Sequence, residues 1–171
     1  MKAVLMSIKP KWCALIASGQ KTVEVRKTKP RLETPFKVYI YCTIDGGVKG
    51  DMTVPGRLTC GKVIGEFVCD VIFTVSCYYS NPTARGVHSE QPYTCLTDKQ
   101  MIDYLGNGVE GHGWHISDLV IYDKPRELRE FVKYRSDWYC RAGIGALTGL
   151  DCNEYITRPF QSWGYVYEAD T

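Results

Sequence analysis

The stretch SGQKTVEVR at residues 18–26 determines how the rest of the sequence is interpreted. Gly19 follows an amphipathic run that opens at Pro10, and it is therefore expected to end a helix in the left-handed conformation that suits glycine. After this glycine the period changes to two, because Val23 and Val25 alternate with polar residues. Such alternation predicts a β-strand with one apolar and one polar face.

The polar face of this strand carries a hydroxyl, a carboxylate and a guanidinium group, from Thr22, Glu24 and Arg26. Lys21 lies at the turn before the strand, where its side chain can lean over the same face. A face of this kind either contacts solvent or lines a polar cleft. On these residues alone, the simpler interpretation is a solvent-exposed Glu24–Arg26 ion pair, because surface ion pairs are common and contribute little to stability.

The pattern Gly-x-Lys-x-x-Glu-x-Arg, formed by Gly19, Lys21, Glu24 and Arg26, resembles the signature of the ASCH domain, a branch of the PUA-like β-barrel superfamily. The segment Ser-Ile-Lys-Pro at residues 7–10 precedes the signature, as this resemblance requires, and a short helix is expected between the two. Two later segments resemble blocks of the longer ASCH proteins found in bacteriophages and in prophages of Gram-positive bacteria, namely residues 114–119 and 157–163.

This resemblance implies a PUA-like pseudobarrel in which the first helix and the signature strand line a cleft. The residue patterns agree, because many strands and few helices favour a mixed barrel over alternating βαβ units. The expected fold class is α+β, a mixed, largely antiparallel β pseudobarrel with a few short flanking helices, and residues 1–171 are expected to form a single domain.

Periodicity predicts the elements of this fold along the chain. Strands are expected at residues 3–8, 22–27, 37–43, 62–77, 114–122 and 162–168, and helices at 10–18 and 97–105, with a helical turn at 124–131. The strand at 62–77 is about three times a typical length, so it is expected to bend or to serve two parts of the barrel. The strands at 3–8, 22–27 and 162–168 are expected in one curved sheet. Residues 45–61 and 78–95 are expected to be irregular, and the pattern of residues 133–158, which include Cys140 and Cys152, assigns no element.

Basic residues are concentrated near the N-terminus, although the whole chain carries a net charge of only +2. Residues 1–37 contain nine lysines and arginines against two glutamates, a net charge of +7. A basic region beside the signature favours an anionic partner such as a nucleotide or a nucleic acid. A solvated basic face would have the same composition, so charge alone leaves both interpretations open.

Eight cysteines are expected to be mostly free thiols rather than a disulfide framework. Lysines and a proline interrupt the apolar N-terminal stretch, which is unlike a signal peptide, and no apolar run approaches the ~20 residues of a membrane span. Cysteines in apolar strand patterns behave as small buried hydrophobes. A reducing cytoplasm is therefore expected, with no membrane association. No paired cysteine or histidine spacing favours zinc, so neither a metal nor another cofactor is expected.

Three functions remain open at this point. The first is a nucleotide- or RNA-binding module, since aromatic side chains and cations together hold single-stranded nucleic acid. The second is a hydrolase acting on a modified nucleoside, or a ribonuclease, with Lys21 and Glu24 as its catalytic residues. The third is a phage regulatory protein that acts through protein–protein contacts. The residues expected to contact RNA, a nucleotide or a modified nucleoside are Ser7, Lys9, Trp12, Lys21, Glu24, Arg26, Ser117 and Trp163.

The hydrolase alternative comes from a small ASCH branch that resembles bacterial amidohydrolases for N4-acylated cytidine. That branch uses a lysine, a threonine three residues later and a distant glutamate. Lys21 matches the lysine, but Glu24 occupies the position of the threonine nucleophile. Glu24 would then act as a general base that activates water. Lys21 would stabilise a developing oxyanion or contact a phosphate, and Arg26 would donate two hydrogen bonds to a carbonyl or phosphate.

Overall fold

The computed structural model describes residues 2–44, 60–77, 91–133 and 155–168. Its elements are, in chain order, β1 (Ala3–Ile8), α1 (Pro10–Ala17), β2 (Val23–Arg26), β3 (Phe36–Cys42), β4 (Val63–Cys69), β5 (Ile72–Val75), α2 (Gln91–Thr94), α3 (Asp98–Leu105), β6 (Gly111–His115), β7 (Ser117–Arg126), a 3-10 helix (Leu128–Glu130), β8 (Phe131–Lys133) and β9 (Trp163–Glu168). The predicted irregular regions and the unassigned stretch fall largely on residues 45–59, 78–90 and 134–154, which lie outside the described residues.

The described strands form two sheets. The larger has six strands in the order β7-β4-β3-β1-β9-β8, and the smaller has three in the order β2-β6-β5. Only β1 and β3 run parallel, and every other named pair is antiparallel. The predicted α+β class with a mixed, largely antiparallel sheet is confirmed. The described strands form a pseudobarrel of two joined sheets and not one closed barrel.

The chain passes from one sheet to the other at two corners. The long strand predicted at 62–77 divides at Asp70 and Val71 into β4 and β5, so it serves both sheets as expected. The strand predicted at 114–122 is likewise divided at Ile116 into β6 and β7, and it begins three residues earlier at Gly111. The helical turn predicted from residue 124 is wrong at its start, because β7 runs through Pro125 to Arg126. A proline is tolerated there because β7 is an edge strand of the described sheet.

The prediction that the signature strand shares one curved sheet with β1 and β9 is wrong. β1 and β9 do pair, antiparallel, but β2 belongs to the three-stranded sheet, where Val23 stands opposite His115. The physical reason is that β1 already has β3 on one side and β9 on the other, so it offers no free edge. β2 instead reaches the larger sheet through its side chains.

Short sequence signals determine where the two helices that line the cavity, α1 and α3, begin or end. Pro10 occupies the first turn of α1, where a missing N–H costs no hydrogen bond, and Gly19 ends the helical segment at φ +74° as predicted. Thr97 caps α3: its hydroxyl accepts from the Gln100 N–H, and the Gln100 side chain accepts from the Thr97 N–H.

Among the described residues, no helix combines the length and apolar character needed to span a bilayer.

The principal core lies between β1, β3, β4 and α1. Trp114 of β6 is fully buried in it and packs edge to face on Phe36, with ring centroids 5.6 Å apart. A second apolar cluster, which includes Tyr39, Tyr41 and Phe131, covers the other face of the larger sheet. The first cluster packs α1 and Trp114 of the smaller sheet against the larger sheet.

Candidate functional site

A cavity of about 810 Å³ opens between α1, β2 and α3. α1 contributes Lys11 and Trp12 to its lining, and α3 contributes Asp103 and Tyr104. The polar face of β2 forms its floor. The full lining is Ser7, Ile8, Lys9, Lys11, Trp12, Lys21, Glu24, Val25, Arg26, Lys27, Thr28, Thr43, Leu96, Gln100, Asp103, Tyr104, Gln161 and Ser162.

Three charged side chains of the signature are buried together in the cavity floor. Glu24 lies between two cations: its Oε2 is 3.3 Å from Lys21 Nζ, and its Oε1 is 3.0 Å from Arg26 Nη2. The exposed fractions of the three side chains are only 2% for Lys21, 9% for Glu24 and 8% for Arg26. The interpretation of Glu24 and Arg26 as a solvent-exposed pair is therefore wrong. We call Lys21, Glu24 and Arg26 the buried charge triad.

Lys21 is held by three partners inside the protein. Its ammonium group donates to the carbonyl oxygens of Val23 at 2.8 Å and Thr94 at 2.5 Å, and it forms an ion pair with Glu24. Two of the three N–H donors of the ammonium group are thus used in hydrogen bonds to backbone carbonyls. Nearby, the Thr22 N–H donates to the Tyr93 carbonyl at 3.0 Å. Lys21 therefore fastens the start of β2 to the segment before α3.

Arg26 joins the two sheets. Its Nη2 donates to the Ser7 carbonyl of β1 at 2.7 Å, and its Nη1 lies 3.3 Å from Ser162 Oγ, just before β9. Arg26 Nε is buried and has no hydrogen-bond partner within the described part of the chain. The same side chain thus orients Glu24, positions the wall of the cavity and retains one unpaired donor.

The cavity carries a positive charge. Two carboxylates, Glu24 and Asp103, stand against five cationic side chains, so the lining has a net charge of +3; the cations are Lys9, Lys11, Lys21, Arg26 and Lys27. Low-dielectric walls concentrate such a charge and raise the local concentration of anions. This lining suits an anionic ligand better than a neutral one.

Two aromatic rings line the cavity as well. Trp12 is partly buried, with Lys11 Nζ 4.2 Å and Lys21 Nζ 5.3 Å from its ring centroid. Lys27 Nζ lies 5.4 Å from the ring centroid of Tyr104. Burial raises the pKa of the Tyr104 phenol, which therefore stays protonated at neutral pH and can donate a hydrogen bond. Both rings combine an apolar face with an adjacent cation.

Six of the eight residues expected at the site line this one cavity, namely Ser7, Lys9, Trp12, Lys21, Glu24 and Arg26. Ser117 and Trp163 do not line it. The Ser117 hydroxyl donates to the Val68 carbonyl at 2.9 Å, and the Trp163 indole donates to Thr28 Oγ1 at 3.1 Å. Trp163 also packs on Trp114 at a centroid distance of 5.8 Å.

Three further large aromatic side chains belong to the core and not to the cavity. Trp114, Tyr39 and Tyr41 are 0%, 3% and 4% exposed, so none offers a ring face to a ligand. Within the described ranges, no three His, Cys, Asp or Glu side chains come together as a set that could hold a metal ion.

Sequence reasoning missed the contribution of α3. Gln100, Asp103 and Tyr104 are spaced three and four residues apart, so they share one helical face, and this face lines the cavity. The spacing was visible in the sequence. Nothing local, however, indicated that this face would meet β2, which lies more than seventy residues earlier in the chain.

Comparison with solved structures identifies the architecture. The crystal structure of ASCH from Zymomonas mobilis matches with a TM-score of 0.59 and 18% sequence identity, covering 95% of this chain and 86% of that one. The chain has the ASCH fold. Two mutants of the Zymomonas mobilis protein match as well. The tyrosine-to-phenylalanine mutant has a TM-score of 0.58 and 17% identity, covering 96% of this chain and 90% of that one. The serine-to-alanine mutant has a TM-score of 0.57 and 17% identity, covering 95% and 87%.

No protein-family model and no curated protein sequence matches the chain. The structural neighbours therefore establish the ASCH fold, while the phage or prophage type stays a prediction. Within this ASCH fold, the buried charge triad lies where the three-stranded sheet meets the ends of β1 and β9. The arrangement can bind an anion, stack a planar ring and present one fixed carboxylate.

Proposed function

We propose that this protein binds a nucleotide or a short single-stranded RNA segment in the cavity above the buried charge triad. The observation that carries the proposal is the combination, in one cavity, of a net charge of +3 with the rings of Trp12 and Tyr104. Cations that hold phosphate beside rings that stack bases are the usual means of binding single-stranded nucleic acid.

Phosphate is expected at the rim of the cavity. Lys9, Lys11 and Lys27 are exposed and line this rim, whereas Lys21 is committed to partners inside the protein. An exposed lysine behaves as a mobile point charge and tolerates several phosphate positions. This favours binding with limited sequence preference.

The base or nucleoside is expected deeper, next to Trp12 or Tyr104. Glu24 then offers carboxylate oxygens to an exocyclic amino group, because a carboxylate is an acceptor only. Lys21 and Arg26 hold this carboxylate in one orientation from both sides. Such pre-organisation reduces the cost of ordering the site when a ligand binds.

Salt dependence tests the binding proposal. We expect a short single-stranded RNA to bind this protein with a log–log slope of about −0.7 per phosphate contacted. Lys27→Ala should weaken binding and flatten that slope by roughly one contact. The matched control is Lys124→Ala, because Lys124 is exposed and does not line the cavity. Salt-independent binding, or no binding at low salt, would contradict the proposal.

A hydrolase is the second candidate, and it is favoured by one observation: the Glu24 carboxylate lines the cavity, where it would activate water as a general base. Against it, Lys21 already donates to two backbone carbonyls and is ion-paired with Glu24, so its ammonium group is held away from the position of an oxyanion partner. We expect N4-acetylcytidine to bind without being consumed. Chromatographic detection of efficient turnover that disappears in Glu24→Gln would establish the hydrolase in place of the binding module.

A further inference from the structure

Three cysteines meet at the end of β3, beside the wall of the cavity. Cys42, the last residue of β3, has its sulfur 3.7 Å from the sulfur of Cys60, which precedes β4. Cys13 of α1 lies next to Cys42 and donates to the Ile8 carbonyl at 3.5 Å. None of the three is in a disulfide.

The backbone already holds the Cys42 and Cys60 segments side by side. The Cys42 N–H donates to the Lys62 carbonyl at 2.9 Å, and the Gly61 N–H donates to the Cys42 carbonyl at 2.7 Å. A disulfide requires the sulfurs to approach to about 2.05 Å with a defined torsion. From 3.7 Å, this needs a sulfur movement of under about 2 Å, which side-chain rotation can supply without separating the strands.

We propose that Cys42 and Cys60 form an oxidation site, which small-molecule disulfides such as oxidised glutathione convert to an intramolecular disulfide. The inference does not depend on the proposed function of the cavity. Cys60 is only partly buried, whereas Cys42 and Cys13 are fully buried, so Cys60 is the sulfur that an oxidant reaches from solvent.

The arrangement of the three sulfurs assigns a role to each. The neighbouring Cys13 thiol lowers the pKa of Cys42, and the contact with Cys60 adds to this effect against the opposing effect of burial. The same contact with Cys42, together with burial, raises the pKa of Cys13. Cys13 therefore keeps its proton, and Cys42 supplies the thiolate that attacks a disulfide.

The reaction balances with one oxidant molecule per pair. The Cys60 thiolate first attacks oxidised glutathione, which forms a mixed disulfide and releases one reduced glutathione that takes the Cys60 proton. The Cys42 thiolate then attacks the Cys60 sulfur, and the second glutathione leaves with the proton lost by Cys42. Two thiols are oxidised, one external disulfide is reduced to two thiols, and Cys13 is unchanged.

The other described cysteines differ in a way that makes the site selective. Cys69 and Cys77 are buried, and burial raises the pKa of Cys69 to about 12, so neither sulfur is readily reached by an oxidant. Cys95 is partly exposed like Cys60, but its sulfur donates to the Gln20 carbonyl at 3.3 Å. Cys95 therefore serves as the matched control for exposure without a thiol contact from any other described cysteine.

Peptide mapping of the full-length chain tests this proposal. The protein is equilibrated with mixtures of reduced and oxidised glutathione, its remaining thiols are alkylated, and it is cleaved with trypsin. Cleavage after Lys37, Lys49, Arg57 and Lys62 separates residues 38–49, which contain Cys42, from residues 58–62, which contain Cys60. We expect these two peptides to become joined, with a loss of about two mass units per chain and full recovery on reduction.

Two substitutions make the result decisive. Cys60→Ser should abolish the joined peptide while the melting temperature of the reduced protein stays within a few degrees of wild type, and Cys95→Ser should leave the joined peptide unchanged. A stable glutathione adduct on Cys60, a Cys13–Cys42 disulfide as the main product, or a stoichiometric metal ion removed by Cys60→Ser would each overturn the proposal. So would a failure of Cys42 and Cys60 to join under fully oxidising glutathione.

Discussion

The ammonium group of Lys21 is already engaged by partners inside the protein, which limits its direct contact with a ligand. It donates to the Val23 and Thr94 carbonyls and contacts Glu24, with 2% of its side chain exposed. A lysine used in this way positions the carboxylate and the chain around it. Its contribution to any ligand is therefore expected to be indirect, through the orientation of Glu24.

Replacing Lys21 with methionine tests this positioning role. Lys21→Met keeps the length of the side chain, but it leaves Glu24 with one cation instead of two and removes a donor from two carbonyls. Loss of one partner from a buried ion pair typically costs about 3–5 kcal/mol of unfolding free energy. Urea denaturation should detect a decrease of this order.

The control for Lys21→Met is Lys99→Met, which removes an exposed pair with Asp103 at 2.8 Å. Exposed pairs at this helical spacing contribute about 0.3–0.5 kcal/mol, so its effect should be much smaller. If Lys21→Met were as stable as wild type and lost only ligand binding, Lys21 would be a direct ligand contact and the positioning role would be wrong.

At the scale of elements, the 3-10 helix at Leu128–Glu130 connects β7 to β8 and depends on one carboxylate. The Glu127 N–H donates to Glu130 Oε1 at 2.7 Å, and Arg126 Nε donates to Oε2 at 2.9 Å. The hydrogen bond from the Glu127 backbone is the main cause that lowers the pKa of Glu130, with Arg126 adding to it. The charged form of Glu130 is thus the form that the folded protein favours.

A pH series on Glu130→Gln tests this contribution. A carboxyl group whose pKa is lower in the folded state stabilises the fold above its unfolded pKa, near 4.5 here. That stability is lost as the pH falls through the lower, folded pKa. Wild type should therefore exceed Glu130→Gln in unfolding free energy at pH 6–7, and the difference should shrink below about pH 4.5. Exposed Glu33→Gln is the control, and a pH-independent difference would refute the charge-based account.

At the scale of the whole molecule, the larger sheet depends on close contact between its strands β4 and β7. A Cβ atom at Gly65 would overlap the carbonyl oxygen of Val120, which is backbone and cannot rotate away. At Gly113, by comparison, an added Cβ would meet the ring of Phe73, which is the movable end of a side chain. The absence of a side chain at Gly65 therefore permits the pairing that orders the larger sheet.

We expect Gly65→Ala to lower the unfolding free energy by about 1–3 kcal/mol, the range typical of overpacking. Gly113→Ala should cost less, because the Phe73 ring can adjust. Thermal unfolding of both variants under the same conditions measures the difference. Equal effects, or a larger effect at Gly113, would contradict the assignment of the close backbone contact to the β4–β7 pair.

The sequence by itself determined the elements whose signals are local. Periodicity located β1 and β2, Pro10 and Gly19 bounded the helical segment at α1, and the Thr97–Gln100 capping box located α3. These features depend on residues within about four positions of one another, so a single sequence reveals them. The Gly-x-Lys-x-x-Glu-x-Arg pattern also pointed to the ASCH fold.

Only the tertiary structure decided which sheet β2 joins and that its charged face is buried. Arg26 contacts Ser7 across 19 residues and Ser162 across 136, and Lys21 contacts Thr94 across 73. Local periodicity records that a face is polar, but a polar face toward water and a polar face toward other charges have the same pattern. The difference between a surface ion pair and a buried site arises from these distant contacts, because they alone remove the solvent.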